Sequence, residues 1–454
     1  MSRTNIQPGI TEGVIWKQLL AFFFPILLGT LFQQLYNTVD AIIVGQFLGK
    51  AALAAVGGGT GTAINLLIGF FTGLSTGATV MISQYSGAKN GERVSKAVHT
   101  AVALAIAGGL CISVVGYIFT STLLNLIGTP SDILPLAVTY MHIYFMGSLA
   151  IVLYNMGSGI FRALGDSKRP FHFLVISCLV NIALDLLFVG ALGFGVEGAA
   201  YATVLSQALS VALVYGALMR QPEPARLSIV KIGFDPAILG RTLSIGLPAG
   251  VQSVMYTVSN LIIQSSINSF GTDTAAAWAA YSKIDAIFWA VVSSFGVALT
   301  TFIGQNYGAG KIDRAKKSVR LTFGLAGSVT LLFMVTYLLF GEPALGLFSA
   351  DKDVIQTGMG IIYCVVPWYF IYLPIEVLSG ATRGVGKTFV PTIISVFGIC
   401  LIRVAWMQIV PRFCGHLNAV LYCYPFTWAV TSAAFFVYYC RGNIWSYHRP
   451  KLRH

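Results

Sequence analysis

The sequence contains few charged residues. They make up 10% of the 454 residues, whereas a soluble domain usually carries about 25%. Apolar residues make up 56% of the chain, and the mean hydropathy is +0.77. A chain of this composition cannot cover a water-facing surface, which excludes a soluble multidomain enzyme. It indicates an all-α, polytopic membrane protein in which lipid covers most of the apolar surface.

The sequence also lacks the residue clusters that metal or nucleotide chemistry needs. Its seven cysteines form no CxxC pair, and its six histidines form no HExxH motif. We therefore expect the cysteines to behave as small apolar residues, and we expect no metal site, no cofactor and no enzymatic activity. The stretch 381–388 ends in Gly-Lys-Thr, like a phosphate-binding loop. An apolar helix rather than a strand precedes it, so it is predicted to be a basic turn.

Apolar stretches account for most of the chain. There are twelve, and most are near or above the ~20 residues that cross a bilayer as a helix. They predict twelve transmembrane helices at 16–46, 52–80, 98–119, 133–157, 171–192, 196–219, 241–268, 275–303, 318–340, 358–379, 391–411 and 416–440.

Lysine and arginine are distributed unevenly between the connections of these stretches. One side of the membrane holds 23 of the 28 basic residues, and the opposite side holds only Lys50, Lys352 and Arg412. The positive-inside rule then places both termini in the cytoplasm, with an even number of spans. The formal net charge of +12 follows from this topology, and it implies no nucleic-acid partner.

The chain contains an internal repeat whose register is the same over several segments. An offset of 221 residues aligns 158–170 with 379–391, and an offset of 223 aligns Pro25 with Pro248. The longest match, between 82–98 and 303–319, contains seven identities: Ile82/Ile303, Gln84/Gln305, Gly87/Gly308, Ala88/Ala309, Arg93/Arg314, Lys96/Lys317 and Val98/Val319.

The repeat predicts two six-helix lobes. We place them at 1–219 and 241–440, with a polar cytoplasmic linker at 220–240 and a basic tail at 441–454. Because six is an even number, both lobes enter the membrane from the same side, and a pseudo-two-fold axis along the membrane normal should relate them. Transporters with such parallel repeats bind substrate between the halves and alternate access by rocking them. A secondary transporter is therefore the first functional inference.

Four acidic residues lie within predicted spans, where ionisable groups by default mark ion or substrate pathways. In the first lobe, Asp40 lies about 9 Å from the outer end of its span, and Asp185 and Thr203 lie about 10 Å deep. Asn181 is one turn from Asp185 and shares its face. Such a cluster can bind and release a proton, or hold a small cation such as sodium. The alternative is that the two acids are only satisfied packing residues.

The first helix carries a polar stripe that lipid cannot cover. Gln33, Tyr36, Asn37 and Asp40 are spaced at 0, +3, +4 and +7, which places them on one helical face. We expect this face to line the cavity of the N-terminal lobe. Pro25 lies in the same span and is predicted to kink the helix, so that the charge on Asp40 could be coupled to cavity shape.

The second lobe does not repeat this pattern, because Ile263 and Trp406 stand where the repeat would place Asp40 and Asp185. Its own acids are Asp285, which we expect to form a structural ion pair with Arg403 at similar depth, and Glu376. For Glu376, contact with a substrate cation and a role in an inner gate remain open. The seventh span supplies further predicted cavity residues: Gln252, Tyr256 and Asn260.

The chain resembles the multidrug and toxic-compound extrusion (MATE) family over essentially its whole length. The resemblance is carried by these segments: Pro25 with Asn37-Thr-Val-Asp40, Ser-Gln-Tyr-Ser-Gly-Ala-Lys at 83–89, Gly-Gln-Asn-Tyr-Gly-Ala-Gly at 304–310, and Arg-Ala-Leu-Gly-Asp-Ser-Lys-Arg-Pro at 162–170. It implies two six-helix lobes, a V-shaped cavity, and ion-driven antiport of amphipathic, often cationic, compounds.

The resemblance also implies which residues couple the ion. Asp40, Asn181, Asp185 and Thr203 match the polar cluster of the DinF-like branch, which is proposed to bind a proton or sodium. The NorM-like branch instead uses a carboxylate in the seventh span, and this chain has none there. A lipid-linked precursor flippase of the same superfamily is the alternative function, but four intramembrane acids against two bases favour cationic cargo. We expect a monomer, multi-pass in the cell membrane.

Overall fold

The computed structural model describes residues 10–413, 415–442 and 444–446. These residues form helices joined by short turns, and no strand occurs among them. The all-α prediction is therefore confirmed for this part of the chain. Predictions about the first nine residues, the last eight residues and Cys414 lie outside the described residues.

Sixteen α-helices follow one another along the described chain. A π-helical turn, Leu186–Ala191, continues the helix Lys168–Asp185, and another, Val396–Leu401, joins the helices Phe389–Ser395 and Ile402–Phe413. Short 3₁₀ turns lie at Ile229–Lys231 and Val366–Trp368. The helices are α1 Ile15–Gly57, α2 Gly59–Gly87, α3 Gly91–Leu126, α4 Leu134–Met146, α5 Ser148–Ala163, α6 Lys168–Asp185, α7 Val196–Met219, α8 Pro236–Asn268, α9 Thr272–Gly308, α10 Ile312–Gly346, α11 Lys352–Val365, α12 Tyr369–Val385, α13 Phe389–Ser395, α14 Ile402–Phe413, α15 Leu417–Leu421 and α16 Cys423–Arg441.

These helices account for the twelve predicted spans one by one. Ten described helices, some of them joined across a short turn, are long and apolar enough to cross a membrane. The α4–α5 pair, bent by 49°, forms an eleventh. The remaining predicted span corresponds to α8, which has 33 residues but is not among the helices counted as apolar enough to cross a membrane. The chain is a polytopic membrane protein with the predicted helices.

The repeated sequence motif forms the same turn twice. After α2, the backbone N–H of Asn90 donates to the carbonyl of Tyr85, and after α9 that of Lys311 donates to Asn306. The residue before each of these donors has a positive φ, 54° at Lys89 and 73° at Gly310. Asn90 then caps α3 by accepting a hydrogen bond from the backbone N–H of Arg93 at 3.1 Å. In both halves, the repeated motif therefore forms a tight turn of the same geometry between two helices.

The described chain divides into two compact units, and the division falls inside α8. The first unit contains 21–254, and the second contains 12–20 together with the residues from Met255 onward. Each unit has its own buried apolar core. The unit boundary therefore lies further along the chain than the linker predicted at 220–240.

The predicted linker belongs to the first unit because it is hydrogen-bonded to α3. The backbone N–H of Ser228 donates to His99 Nε2 at 3.0 Å, and that of Asp235 donates to Thr100 Oγ1 at 3.1 Å. The other ring nitrogen of His99 lies 2.7 Å from the Ser95 carbonyl oxygen. The segment 227–235 is thus attached to one unit and is not a free connection between two.

Pro25 lies inside α1, as predicted, but α1 is interrupted elsewhere. The one residue of this helix with a non-helical backbone is Gly49, with φ 81° and ψ −177°. Only glycine adopts this conformation readily, because a side chain would be strained at positive φ. The interruption follows Asp40 rather than preceding it. Coupling between Asp40 and a kink at Pro25 stays a prediction.

Candidate functional site

Two acidic side chains from distant helices lie side by side in the first unit. Asp40 is on α1 and Asp185 is the last residue of α6, and their carboxyl groups are within hydrogen-bonding reach of each other. Only 8% of Asp40 and 0% of Asp185 is exposed. The sequence places these two acids at about the same depth in the membrane, and the structure places them next to each other.

Neutral polar groups surround this carboxyl pair. Asn181 lies one turn before Asp185 on α6 and is 1% exposed. Tyr36 Oη and Thr203 Oγ1 are 3.4 Å apart, which links α1 to α7. Tyr140 of α4 lies close enough to interact electrostatically with Asp40. The predicted cluster of Asp40, Asn181, Asp185 and Thr203 is thus assembled from three helices.

No lysine or arginine in the described part of the chain forms an ion pair with either acid. Two ionised carboxylates in contact repel each other strongly where water is excluded. Aspartic proteases resolve the same conflict by sharing one proton between two acids. The pair is therefore suited to hold a proton or a small cation, and the surrounding amide and hydroxyl oxygens can act as further ligands.

A small cavity lies next to the pair in the first unit. Of the stripe predicted on α1, Gln33 and Tyr36 line this cavity and Asn37 does not. Gln33 and Asn37 are both exposed, whereas Tyr36 is half-buried. Asn181 was predicted, but sequence reasoning missed the other lining residues on α6 and α7, since a few serine and glutamine residues in these apolar helices give no strong polarity signal. The cavity is lined by Gln33, Tyr36, Leu174, Ser177, Cys178, Asn181, Ser206 and Gln207.

A π-helical turn, Leu186–Ala191, directly follows Asp185. Such turns are rare and occur frequently at functional sites, because the extra residue per turn changes the direction of the side chains around it. Sequence patterns did not predict it. It places Asp185 at the junction of two helical geometries.

The ion pair predicted between Asp285 and Arg403 in the second unit is wrong. Asp285 instead accepts hydrogen bonds from Trp289 Nε1 at 2.7 Å and from Tyr369 Oη. The Arg403 guanidinium lies over the Tyr424 ring, 4.5 Å from its centroid, and its Nε lies 3.3 Å from Thr427 Oγ1. Asp285 is therefore satisfied by aromatic neighbours, and Arg403 separately by the Tyr424 ring and the Thr427 hydroxyl.

Glu376 forms an ion pair that the sequence did not predict. Its Oε1 lies 3.4 Å from Arg383 Nη2, seven residues further along α12, and both side chains are about one-fifth exposed. Tyr372 Oη lies 3.5 Å from Glu376 Oε2. The carboxylate also packs against Gly296 of α9, where a Cβ atom would collide with it.

The three predicted cavity residues of the seventh span lie at four-residue intervals on α8. Gln252 and Tyr256 are partly buried, and Asn260 is exposed. Because the unit boundary falls between Gln252 and Tyr256, these residues belong to different units. Among the described residues, no group of three or more His, Cys, Asp or Glu side chains could hold a metal ion.

The chain is similar to transporters of one family. The family model MatE matches residues 25–187 and 248–407, one match in each half of the repeat. Two proteins of Bacillus subtilis, the probable multidrug resistance proteins YoeA and YpnP, are each 28% identical to it. YoeA aligns over 96% of both chains, and YpnP aligns over 95% of this chain and 96% of its own.

Comparison with solved structures gives the same fold. The structure described as an outward-facing conformation of a multidrug resistance MATE family transporter of the MOP superfamily superposes with a TM-score of 0.89. It is 23% identical in sequence, and the superposition covers 98% of each chain. With both halves matched by the family model, this chain is a transporter rather than an enzyme, and it belongs to the MatE family of multidrug and toxic-compound extrusion proteins.

Proposed function

We propose that this transporter exports amphipathic organic cations across the cell membrane in exchange for protons. The observation that carries the proposal is the contact between Asp40 and Asp185, two buried acids without a basic partner in the described structure. When cargo or a conformational change alters their surroundings, the number of protons on the pair changes. Transport of the cation can therefore be coupled to release and uptake of a proton.

A proton fits this pair better than sodium does. The two carboxyl groups are close enough to share one hydrogen, and Tyr36 and Thr203 already interact with each other at 3.4 Å. Sodium, a hard cation, would need these oxygens to turn towards a common centre. Sodium remains the second candidate, because the same set contains carboxylate, amide and hydroxyl ligands.

The available energy is sufficient for antiport. Each charge that crosses the membrane gains about 2.3 kcal/mol per 100 mV, and a proton gains about 1.4 kcal/mol more per pH unit. A pH difference of one unit with 100 mV thus supports roughly a 500-fold concentration gradient of a neutral cargo for each proton. A cationic cargo gains only the pH part when one charge is exchanged for one.

The cargo class rests on charge and on the names of relatives. Away from their ends, the twelve predicted spans contain four acids against two bases, and one of these acids, Glu376, is a partly exposed carboxylate in the second unit. YoeA and YpnP are named probable multidrug resistance proteins. We infer export by alternating access, a monomer, and both termini in the cytoplasm. A lipid-linked precursor flippase would need a more basic cavity.

Dye efflux from proteoliposomes tests the proposal. The purified protein is reconstituted, loaded with a fluorescent organic cation, and subjected to an imposed pH gradient or an imposed sodium gradient. We expect the pH gradient to drive efflux and Asp40→Asn to abolish it. Asp285→Asn is the matched control, because it removes a membrane carboxylate that is already hydrogen-bonded to Trp289 and Tyr369. Efflux driven only by sodium, or unchanged in Asp40→Asn, would contradict proton coupling through this pair.

A further inference from the structure

Polar side chains continue from the carboxyl pair along two neighbouring helices of the first unit. On α6, Asp185, Asn181 and Ser177 follow one another at four-residue intervals, which spans about 12 Å along the helix. The helix α7 runs antiparallel to α6. Along α7, Thr203 is followed by Ser206, Gln207 and Ser210, and these residues lie progressively further from the carboxyl pair, in the same direction as Asn181 and Ser177 on α6. This polar stripe leads from the pair towards the end of the unit where α6 begins, which we propose to be cytoplasmic.

The stripe is buried and only partly satisfied by the protein. Ser210 Oγ donates to Ser177 Oγ at 2.6 Å, and this bond joins α7 to α6. The amide nitrogen and oxygen of Asn181 and the Oε1 of Gln207 are buried and have no protein hydrogen-bond partner. Leaving a buried polar atom without a hydrogen-bond partner destabilises the folded protein. Such atoms are normally satisfied by internal water.

These atoms surround the small cavity described above. Asn181, Ser177 and Gln207 all line it, and these side chains offer the two to four polar partners that a buried water molecule needs. Leu174 lines the cavity one turn beyond Ser177. The polar stripe therefore ends at an apolar side chain in this conformation, which limits proton leak through the unit.

The equivalent place in the second unit lacks the amide side chains of this stripe. The repeat offset of 221 pairs Ser177 with Gly398, Asn181 with Ile402, and Gln207 with Trp428. Trp428 is fully buried, and Gly398 packs directly against Thr431, which is the counterpart of Ser210. Thr431 Oγ1 donates to the Thr427 carbonyl of its own helix. The stripe is thus a property of the first unit and not of the fold.

We propose that Ser177, Asn181, Gln207 and Ser210, with water held in their cavity, form a proton relay between the carboxyl pair and the cytoplasmic half of the first unit. The inference rests on the proposed proton coupling. Protonated Asp185 gives its proton to a water molecule bound at Asn181, and that water gives another of its protons to the next oxygen. The Ser177–Ser210 pair passes one proton on as it receives one. Each relay oxygen ends with its original number of protons, and one proton has moved.

The test measures proton transfer separately from cargo binding. Proteoliposomes containing a pH-sensitive dye report the rate of proton release after addition of a fluorescent cation, and fluorescence titration reports the affinity for that cation. Losing one hydrogen bond of about 0.5–1.5 kcal/mol from the path slows transfer by roughly two- to tenfold. We expect this slowing in Ser210→Ala and in Gln207→Leu, with unchanged affinity and an altered rate ratio between H₂O and D₂O. Ser210→Thr retains a hydroxyl and should restore the rate.

Thr431→Ala is the matched control, since it removes a hydroxyl at the equivalent position of the second unit; we expect wild-type proton release from it. Wild-type proton release in both Ser210→Ala and Gln207→Leu, with release abolished in Asp40→Asn, would overturn the relay and leave the coupling site standing. Wild-type release in Asp40→Asn would overturn both proposals. Gel filtration of each variant verifies folding, and two independent relay positions guard against one misfolded variant.

Discussion

At the scale of single residues, two membrane aspartates have opposite surroundings. Asp285 accepts hydrogen bonds from Trp289 and Tyr369, and Tyr281 Oη lies 3.1 Å from Tyr369 Oη behind it. Asp40 instead faces a second acid, and its Oδ1 has no protein donor. A carboxylate with two donors is a structural anion, whereas an acid that faces an acid is suited to exchange a proton.

This contrast predicts opposite effects of the same substitution on stability. In Asp285→Asn, the new amide nitrogen would face a hydrogen-bond donor, so we expect a loss of about 1–3 kcal/mol in the free energy of unfolding. In Asp40→Asn, an uncompensated acid is removed, so stability should stay the same or rise. Thermal unfolding in detergent measures both. Equal destabilisation of the two variants would show that Asp40 is a packing residue.

A second residue-scale prediction concerns the glycine that faces Glu376. A methyl group at Gly296 would occupy the position of the Glu376 carboxylate and disturb its ion pair with Arg383. We expect Gly296→Ala to destabilise the protein by about 1–3 kcal/mol. Gly324→Ala, on α10 where no atom lies within 4 Å of an added Cβ, is the control. It should be neutral or slightly stabilising, because alanine favours a helix. The midpoints of thermal unfolding of the two variants test this prediction. Equal midpoints would contradict the close contact between Gly296 and Glu376.

The acids show what could be predicted at this scale. Depth in the membrane can be read from position within an apolar stretch, and it correctly associated Asp40 with Asp185. Asp285 and Arg403 also have similar depth, yet they do not pair, because depth does not give the direction in which a side chain points. For Asp40, the polar residues on the same face of its helix indicated the direction of its side chain. For Arg403 the neighbours are aromatic rings, which give no such pattern.

At the scale of helices and connections, a histidine side chain attaches the segment before α8 to α3. His99 Nε2 accepts the Ser228 backbone N–H, and its Nδ1 lies 2.7 Å from the Ser95 carbonyl oxygen. The side chain is buried, so its two contacts fix the ring between α3 and the linker. Because α8 begins just after this segment, the attachment also positions the first turn of α8.

Replacing this histidine should release the linker. In His99→Leu the Ser228 N–H loses its acceptor, at a cost of about 1–3 kcal/mol, and we expect faster proteolysis within 221–235. The control is His172→Leu, because His172 is exposed and its hydrogen bond to the Lys168 carbonyl and its ring contact with Phe171 both lie within its own helix. Limited proteolysis followed by mass spectrometry locates the cleavage. An unchanged cleavage rate in His99→Leu would mean that the Thr100 contact alone retains the segment.

The helices themselves were largely predictable, whereas their interruptions were not. All twelve apolar stretches correspond to helices because a chain in lipid must satisfy its own backbone hydrogen bonds. The break of α1 at Gly49 was not predicted, and a kink at Pro25 stays a prediction. The π-helical turns after Asp185 and Ser395 had no sequence signal. Such turns depend on packing between helices, which composition and periodicity do not contain.

At the scale of the whole molecule, the two halves share a frame but differ in chemistry. The family model matches each half separately, and the repeated motif forms the same turn in both. In the described structure the acid pair and the cavity beside it lie in the first half, whereas the residues of the second half that the repeat pairs with Asp185, Asn181 and Ser177 are tryptophan, isoleucine and glycine. The residues that the two halves share therefore specify the fold. The positions at which the halves differ indicate the functional site.

The orientation of this frame in the membrane is the last prediction. Because 23 of the 28 basic residues lie on one side of the spans, we expect 220–240 in the cytoplasm and the turn at 127–133 outside. Single cysteines at Ser131 and Lys231, both exposed, are introduced after replacing Cys111, Cys440 and Cys414. A membrane-impermeant thiol reagent added to intact cells should label the Ser131→Cys protein at once, and the Lys231→Cys protein only after permeabilisation. The reverse pattern would invert the direction of proton and cargo movement proposed here, since the polar stripe below Asp185 would then lead to the outer face.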